Sequence, residues 1–270
     1  MTNNDTNNNL KKWMSLQESP YLCVTQSNKE KTQPENAIFP IIKILEGNPH
    51  QVGAGFLINK EGLFVTAKHV IMDVTNDVTN TIRVPVYGVM FIGNKQCILR
   101  PLNKAIVKDI GDIAIGILTP MAHKISRKTL IHKRLILSSQ SVKIGDDLHA
   151  YSCPFGHSEG KKIYFTMGIQ YSGKVIEIYN NGRDSVFLPN KSFCVDMYMP
   201  AGTSGGPVFN KYGHVVGIIS TGYEGDNLSA ISDISEVFDM TLQNVCLPNG
   251  ANYEYISIRD LHREGFVSIK

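Results

Sequence analysis

Pro200-Ala201-Gly202-Thr203-Ser204-Gly205-Gly206-Pro207 sets one serine in a run of glycines and small residues, directly ahead of the strand-like Val208-Phe209. Glycine adopts backbone angles that other residues avoid. Such a loop can turn several N–H groups into one small volume beside the serine hydroxyl. An acyl-transfer nucleophile needs that arrangement: an attacking oxygen, and donors for the oxyanion that forms. The same composition also suits an ordinary surface turn, so the reading rests on two further segments. Val65-Thr66-Ala67-Lys68-His69-Val70 follows an apolar run and places His69 where a strand ends. An imidazole, with its ordinary pKa of about 6.5, is the natural general base. Asp109-Ile110-Gly111-Asp112-Ile113-Ala114-Ile115 sets a carboxylate in the sequence of a buried strand. A buried Asp needs partners, and an imidazole N–H is a good one. Asp109 competes with Asp112 for that role, but it has the opposite strand parity and lacks the Asp-Ile-Ala context.

Taken together, these segments resemble the trypsin/chymotrypsin-like serine peptidases, in which His, Asp and Ser follow one another in this chain order. Further motifs are similar to the high-temperature-requirement (Deg-type) branch of that family. They are Gly53-Ala54-Gly55-Phe56-Leu57-Ile58, Gly145-Asp146-Asp147-Leu148-His149-Ala150, Pro154-Phe155-Gly156, Asp196 and Val215-Val216-Gly217-Ile218-Ile219-Ser220. The resemblance implies an all-β fold of two six-stranded antiparallel Greek-key β-barrels with a C-terminal helix. It implies a serine endopeptidase with His69 as base, Asp112 orienting it and Ser204 as nucleophile. It also implies an oxyanion hole from the Gly202 and Ser204 N–H groups with the Thr203 N–H nearby. Ser220-Thr221-Gly222 would pair with the substrate backbone. Tyr198 and Met199 would line the primary pocket. Tyr198 stands where enzymes that cut after Arg or Lys carry an aspartate, so cleavage after small or medium uncharged residues is expected. Thr203 stands where trypsin-type zymogens carry the aspartate that pairs with a new amino terminus, so activation by trimming is not expected. Two other readings compete. One is a catalytically silent or partner-activated peptide-binding module on the same fold. The other is an esterase, because Gly202-x-Ser204-x-Gly206 also fits the α/β-hydrolase elbow; the chain order and the β-rich flanks oppose it.

Composition narrows the classes. The chain of 270 residues is 42% hydrophobic and 19% charged, enough for a sizeable core. A net charge of +3 is too mild to argue for nucleic acid. Met1 to Asn9 is polar and Asn-rich without an apolar h-region, and no run reaches the length of a membrane span. Five cysteines without metal-ligand spacing read as free thiols in a reducing, cytoplasmic compartment. No metal or cofactor is expected. The expected partners are a protein or peptide substrate and a regulatory protein.

Short strands separated by turns fill the chain: 38–45 with Pro40 suggesting an edge, 52–58, 63–66, 82–92, 96–100 and 113–118. The second half repeats the pattern over 148–152, 163–178, 185–188, 193–197, 207–209 and 215–220. Leu57-Ile58-Asn59-Lys60-Glu61-Gly62-Leu63 and Val208-Phe209-Asn210-Lys211-Tyr212-Gly213-His214 look like a faint internal repeat of two sub-domains. With the two barrels that the resemblance implies, these place barrel 1 at about 36–118 and barrel 2 at about 135–232. Between them 119–134, with Lys124, Arg127, Lys128, Lys133 and Arg134, reads as a solvated basic linker or as a patch for an anionic partner. Ser232-Asp233 offers a capping start, and Ile234, Val237, Phe238 and Leu242 repeat with helical spacing, which predicts a helix at 233–244. Together they make a protease domain over 21–245. Residues 1–20 read as a flexible tail, with Leu10 to Leu16 and Trp13 in a short docked helix. Residues 246–270 read as an extension too short for a PDZ domain.

Overall fold

A computed structural model describes residues 23–24, 31–72, 84–91, 97–122, 131–153, 155, 157–159, 162–164, 169–223 and 225–270. The expectations for the tail and Trp13, for Lys124, Arg127 and Lys128, and for Pro154 and Gly156 lie outside these residues.

Strands β1 Ile38–Leu45, β2 Asn48–Leu57, β3 Leu63–Thr66, β4 Val86–Phe91, β5 Cys97–Val107 and β6 Ala114–Leu118 close into a barrel in the order β1-β2-β3-β6-β5-β4. A second barrel contains β7 Asp147–Ser152, β8 Ile169–Tyr179, β9 Ser192–Val195, β10 Pro207–Phe209, β11 Val215–Tyr223 and β12 Leu228–Asp233. Its order, β8-β9-β12-β11-β10-β7, is the same cyclic permutation. The fold is therefore all-β, a pair of six-stranded antiparallel barrels with the chymotrypsin-like arrangement. Closure removes the edges that sheets must otherwise protect. Pro40 is accordingly not on an edge strand. It pairs with Ala54 on one side, while the β4 ladder on the other begins only at Ile41, so the missing N–H costs no ladder bond.

The hairpin read at 59–62 joins β2 to β3, where Asn59 Oδ1 accepts from the N–H groups of Glu61, Gly62 and Leu63. Asn210 makes the same kind of turn, accepting from Tyr212 and His214. That turn joins the fourth and fifth strands of its barrel, not the second and third. The matching Asn-Lys-x-Gly segments are thus the same local turn chemistry and not equivalent positions of a repeat. Residues 185–188 are not a strand; Asp184 Oδ1 holds the N–H groups of Val186, Phe187 and Leu188 in a tight loop.

The helix expected over 233–244 is a single 3₁₀ turn, Ile234–Val237. Its start is as expected, with Asp233 Oδ1 accepting from Ser235 N–H at 2.9 Å. It stops because β13 Thr241–Cys246 pairs with β14 Asn252–Ser257, and Leu242 reaches the core from a strand instead of a helix. The C-terminal helix lies further on at Ile258–Arg263, capped by Ser257 Oγ. A boundary at 245 would cut this hairpin. Leu247, Ile256, Ile258, Leu261 and Val267 belong to the same apolar cluster as Phe39, Phe56 and Phe64 of the first barrel. Arg134, read as part of a solvated linker, is buried and donates to the carbonyls of Phe266 and Gly265.

The first barrel also holds a fully buried guanidinium. Arg100 is 0% exposed, and its Nη2 donates to the carbonyls of Glu61 at 2.7 Å and Thr119 at 3.1 Å. Burial first, and the Arg100 charge second, push the imidazole of His132 down to about 4. In the unfolded chain that imidazole titrates near 6.5. Between those values the unfolded state takes up a proton that the folded state refuses, so stability falls as the pH drops from about 6.5 to about 4. His132 as a whole is only half-buried, which limits the loss to about 1–2 kcal/mol. Denaturant midpoints at pH 7 and pH 4.5 should fall further in the parent than in His132→Gln. Equal falls in both would remove His132 from this account.

Candidate active site

His69 sits in the first turn of the short helix α1 Lys68–Met72, directly after β3. Lys68 Nζ anchors that helix by donating to the carbonyls of Lys108 at 2.9 Å and Asp109 at 3.1 Å. Asp112 lies on the tight loop leading into β6, with its side chain 11% exposed against 48% for His69. His69 Nδ1 lies 2.9 Å from both carboxylate oxygens, and His69 N–H donates to Asp112 Oδ1 at 3.0 Å. The carboxylate thus holds both the ring and the backbone of His69, with Nδ1 as the protonated nitrogen. Asp109 is exposed and, among the described residues, has no hydrogen bond to His69; its carbonyl accepts from Lys68.

Ser204 comes from the second barrel, and the two barrels meet at its backbone, where Ala54 N–H donates to Ser204 O at 2.8 Å. One cleft is lined by His69, Asp112 and Ser204 together with Tyr198, Met199, Ser220, Thr221 and Gly222. Every residue expected in the triad and the substrate walls therefore faces the same space. The Ser204 hydroxyl donates to Ser220 O at 3.3 Å, and among the described residues it has no bond to His69.

The loop before Ser204 is held by its carbonyls. Ala201 C=O accepts from Phe155 N–H at 3.1 Å. Thr203 C=O accepts from Ser152 Oγ at 3.2 Å and from Gly206 N–H at 3.0 Å. In a trans peptide the N–H points opposite to the C=O. The Gly202 and Ser204 N–H groups are thus turned away from these anchors, and neither has an acceptor among the described residues. Gly202 has φ +89°, and a Cβ there would stand 2.5 Å from Phe155 N, so only glycine fits. The Thr203 N–H departs from expectation. It closes a turn onto Pro200 O at 3.2 Å and has no free valence for an oxyanion.

Gly222 and Met199, both lining the cleft, touch. A Cβ at Gly222 would lie 2.2 Å from Met199 O. Asp196 does not line the cleft; it accepts from Lys174 N–H and is exposed. Sequence reasoning pointed to the Pro154-Phe155-Gly156 segment without assigning it a task, and it passed over Ser152, whose partner is set only by the folded loop. Among the described residues no cluster of His, Cys, Asp and Glu could hold a metal ion, and no helix is long and apolar enough to cross a membrane.

This pairing of two like barrels across a His-Asp and serine cleft is the architecture of a chymotrypsin-like peptidase. The family model for the trypsin-like peptidase domain matches residues 53–218, more than half of the chain, and the chain belongs to that family. A curated relative, a probable periplasmic serine endoprotease, DegP-like, of Pseudomonas fulva, is 27% identical over 173 residues. That match covers 63% of this chain and 29% of the relative, so the chain spans less than a third of the relative's length. Among solved structures, the active form of the Rv3671c protease from M. tuberculosis aligns with a TM-score of 0.53 at 17% identity, over 76% of this chain and 78% of that one. Deg5 aligns with a TM-score of 0.51 at 18% identity, over 88% of this chain and 93% of that one. At these identities the structures speak for the fold alone.

Proposed function

We propose that this protein is a serine endopeptidase that hydrolyses peptide bonds through His69, Asp112 and Ser204. The observation that carries the reading is the doubly held His69 in one cleft with Ser204 and two unengaged N–H groups. The hydroxyl leaves Ser220 O by rotation about its Cα–Cβ bond and gives its proton to His69 Nε2 as its oxygen attacks the peptide carbonyl. Asp112 stabilises the imidazolium. The Gly202 and Ser204 N–H groups bind the oxyanion. His69 then protonates the leaving amine, an acyl-enzyme remains on Ser204, and water releases it by the same steps. A reducing, cytoplasmic setting is part of the proposal. It is supported by the free thiols of Cys97, Cys153, Cys194 and Cys246 and is tested by counting alkylatable thiols on protein taken from its own cells.

Two observations favour a second reading, a resting form that a substrate or a protein partner opens. The Ser204 hydroxyl rests on Ser220 O, and the Met199 and Gly222 walls are in contact. On either reading the pocket suits small side chains. It carries Tyr198 and Met199 where a basic residue would need a carboxylate. Burying a cation without a partner is costly, whereas an apolar side chain gains about 1.5–3 kcal/mol. A peptide library varied at the residue before the scissile bond should favour Ala, Val, Thr or Leu over Arg and Lys by about tenfold or more in kcat/KM. No hydrolysis of any member, with or without cell extract, would refute the peptidase reading. A dominant Arg or Lys preference would refute the specificity.

A further inference from the structure

We propose that Asn190, on the second barrel, is a positioning residue for Asp112, an inference that rests on the peptidase reading of the site. Asn190 follows Pro189 and leads into β9, and it is 5% exposed. Its Oδ1 accepts from Asp112 N–H at 3.2 Å, across 78 residues of sequence. Asp112 precedes the β6 ladder, which begins at Ala114, so this N–H has no strand partner. The orientation of the amide is determined by what it faces. Its Nδ2 donates to Lys191 O at 3.0 Å, and reversing the group would set N–H against N–H and O against O.

The support behind Asn190 is rigid. Lys191 O also accepts from Asp233 N–H at 2.9 Å, and Lys191 Nζ pairs with Asp233 Oδ2 at 3.0 Å. The approach from the other side is equally tight. Gly111 has φ +111°, and a Cβ there would stand 2.7 Å from Asn190 Oδ1. The Gly111-Asp112 backbone therefore lies directly on the Asn190 amide, and that contact excludes any other residue at 111.

This contact falls at a consequential place. His69 and Asp112 belong to the first barrel and Ser204 to the second, so the reacting geometry depends on how the barrels dock. Ala54 N–H on Ser204 O ties them at the nucleophile; Asn190 ties them at the acid. Displacing a reacting group by about 1 Å can cost about 10²-fold in rate. Asn190 thus acts through Asp112 on the placement of His69, without touching substrate.

The test compares Asn190→Leu, which keeps the volume but removes the acceptor, with Asn190→Asp, whose buried carboxyl, kept protonated beside Asp112, offers its carbonyl oxygen to Asp112 N–H and its hydroxyl to Lys191 O as the amide did. With a peptide substrate, Asn190→Leu should lower kcat by about 10–100-fold and leave KM within about twofold. Asn190→Asp should retain kcat within about fivefold of the parent. Proton NMR supplies a readout that needs no hydrolysis: the far-downfield His69 Nδ1–H signal should persist in the parent and in Asn190→Asp, and vanish or broaden in Asn190→Leu. Loss of that signal in a chain that cleaves no peptide would support the role of Asn190 and fault only the peptidase reading. Parent-like kcat and signal in Asn190→Leu would overturn the inference. So would a rate loss shared by both variants with the signal intact and the melting temperature lowered, which is the mark of mere packing. If Asn190→Leu does not fold, Asn190→Ala replaces it with the same outcomes.

Discussion

Ser204→Ala is expected to lower kcat for peptide hydrolysis by about 10⁶-fold, the scale on which removal of a triad nucleophile acts. It should also abolish covalent labelling by a fluorophosphonate. The size of the effect follows from what the residue supplies. The oxyanion N–H groups and the substrate walls survive the substitution, but the atom that forms the acyl bond is gone. What remains is the modest acceleration from binding and oxyanion stabilisation. Folding should be almost untouched. Ser204 gives up one hydroxyl whose sole hydrogen bond among the described residues, to Ser220 O, is 3.3 Å long. Its backbone carbonyl, which receives Ala54 N–H, is retained. An unchanged melting temperature beside a vanished rate would therefore report chemistry and not stability. Labelling at a different serine, with activity preserved in Ser204→Ala, would move the nucleophile elsewhere.

Asp112→Asn should lower kcat by up to about 10⁴-fold, while Asp109→Asn should stay within about threefold of the parent. The two carboxylates are neighbours in sequence and both line the cleft, yet their surroundings differ. Asp112 accepts from both the ring nitrogen and the main-chain N–H of His69. An amide in its place keeps the shape but brings an NH₂ that cannot accept. The imidazole is then driven to the other tautomer, with its proton on the nitrogen that must receive one from serine. Among the described residues Asp109 contributes only its carbonyl, to Lys68, which the substitution leaves intact. A large loss in Asp109→Asn beside near-normal rates in Asp112→Asn would reverse the assignment.

The lines along which the sequence succeeded and failed are physical. Strands β1, β3 and β10 begin and end where apolar runs meet turn residues, and the Asn59 hairpin is complete within five residues. These are short-range effects. A helix was expected across 233–244 because Ile234, Val237, Phe238 and Leu242 repeat with helical spacing. Burial of Leu242 satisfies that spacing equally well from a strand, and the strand wins because β14 supplies a partner for its backbone. Arg134 reads as a linker charge until the C-terminal segment, 132 residues away, offers it carbonyls. The Thr203 N–H, counted as an oxyanion donor, is consumed by a turn whose closure depends on the φ of Gly202.

By itself the sequence determined the all-β class, from short strands between turns, and set Asp112 in its apolar context apart from Asp109. The two-barrel architecture, the expected roles of His69, Asp112 and Ser204, and the uncharged Tyr198 and Met199 at the expected pocket came through the family resemblance that those segments carry. Only the tertiary structure decided which N–H groups stay unengaged beside Ser204, that the pocket walls meet at Gly222, that residues 246–270 complete the first core, and that Asn190 carries Asp112. Those depend on where a donor finds its acceptor across the docked barrels. A hydrogen bond is directional over about 3 Å, and nothing in local composition specifies a partner that only the packing of two closed sheets brings within that reach.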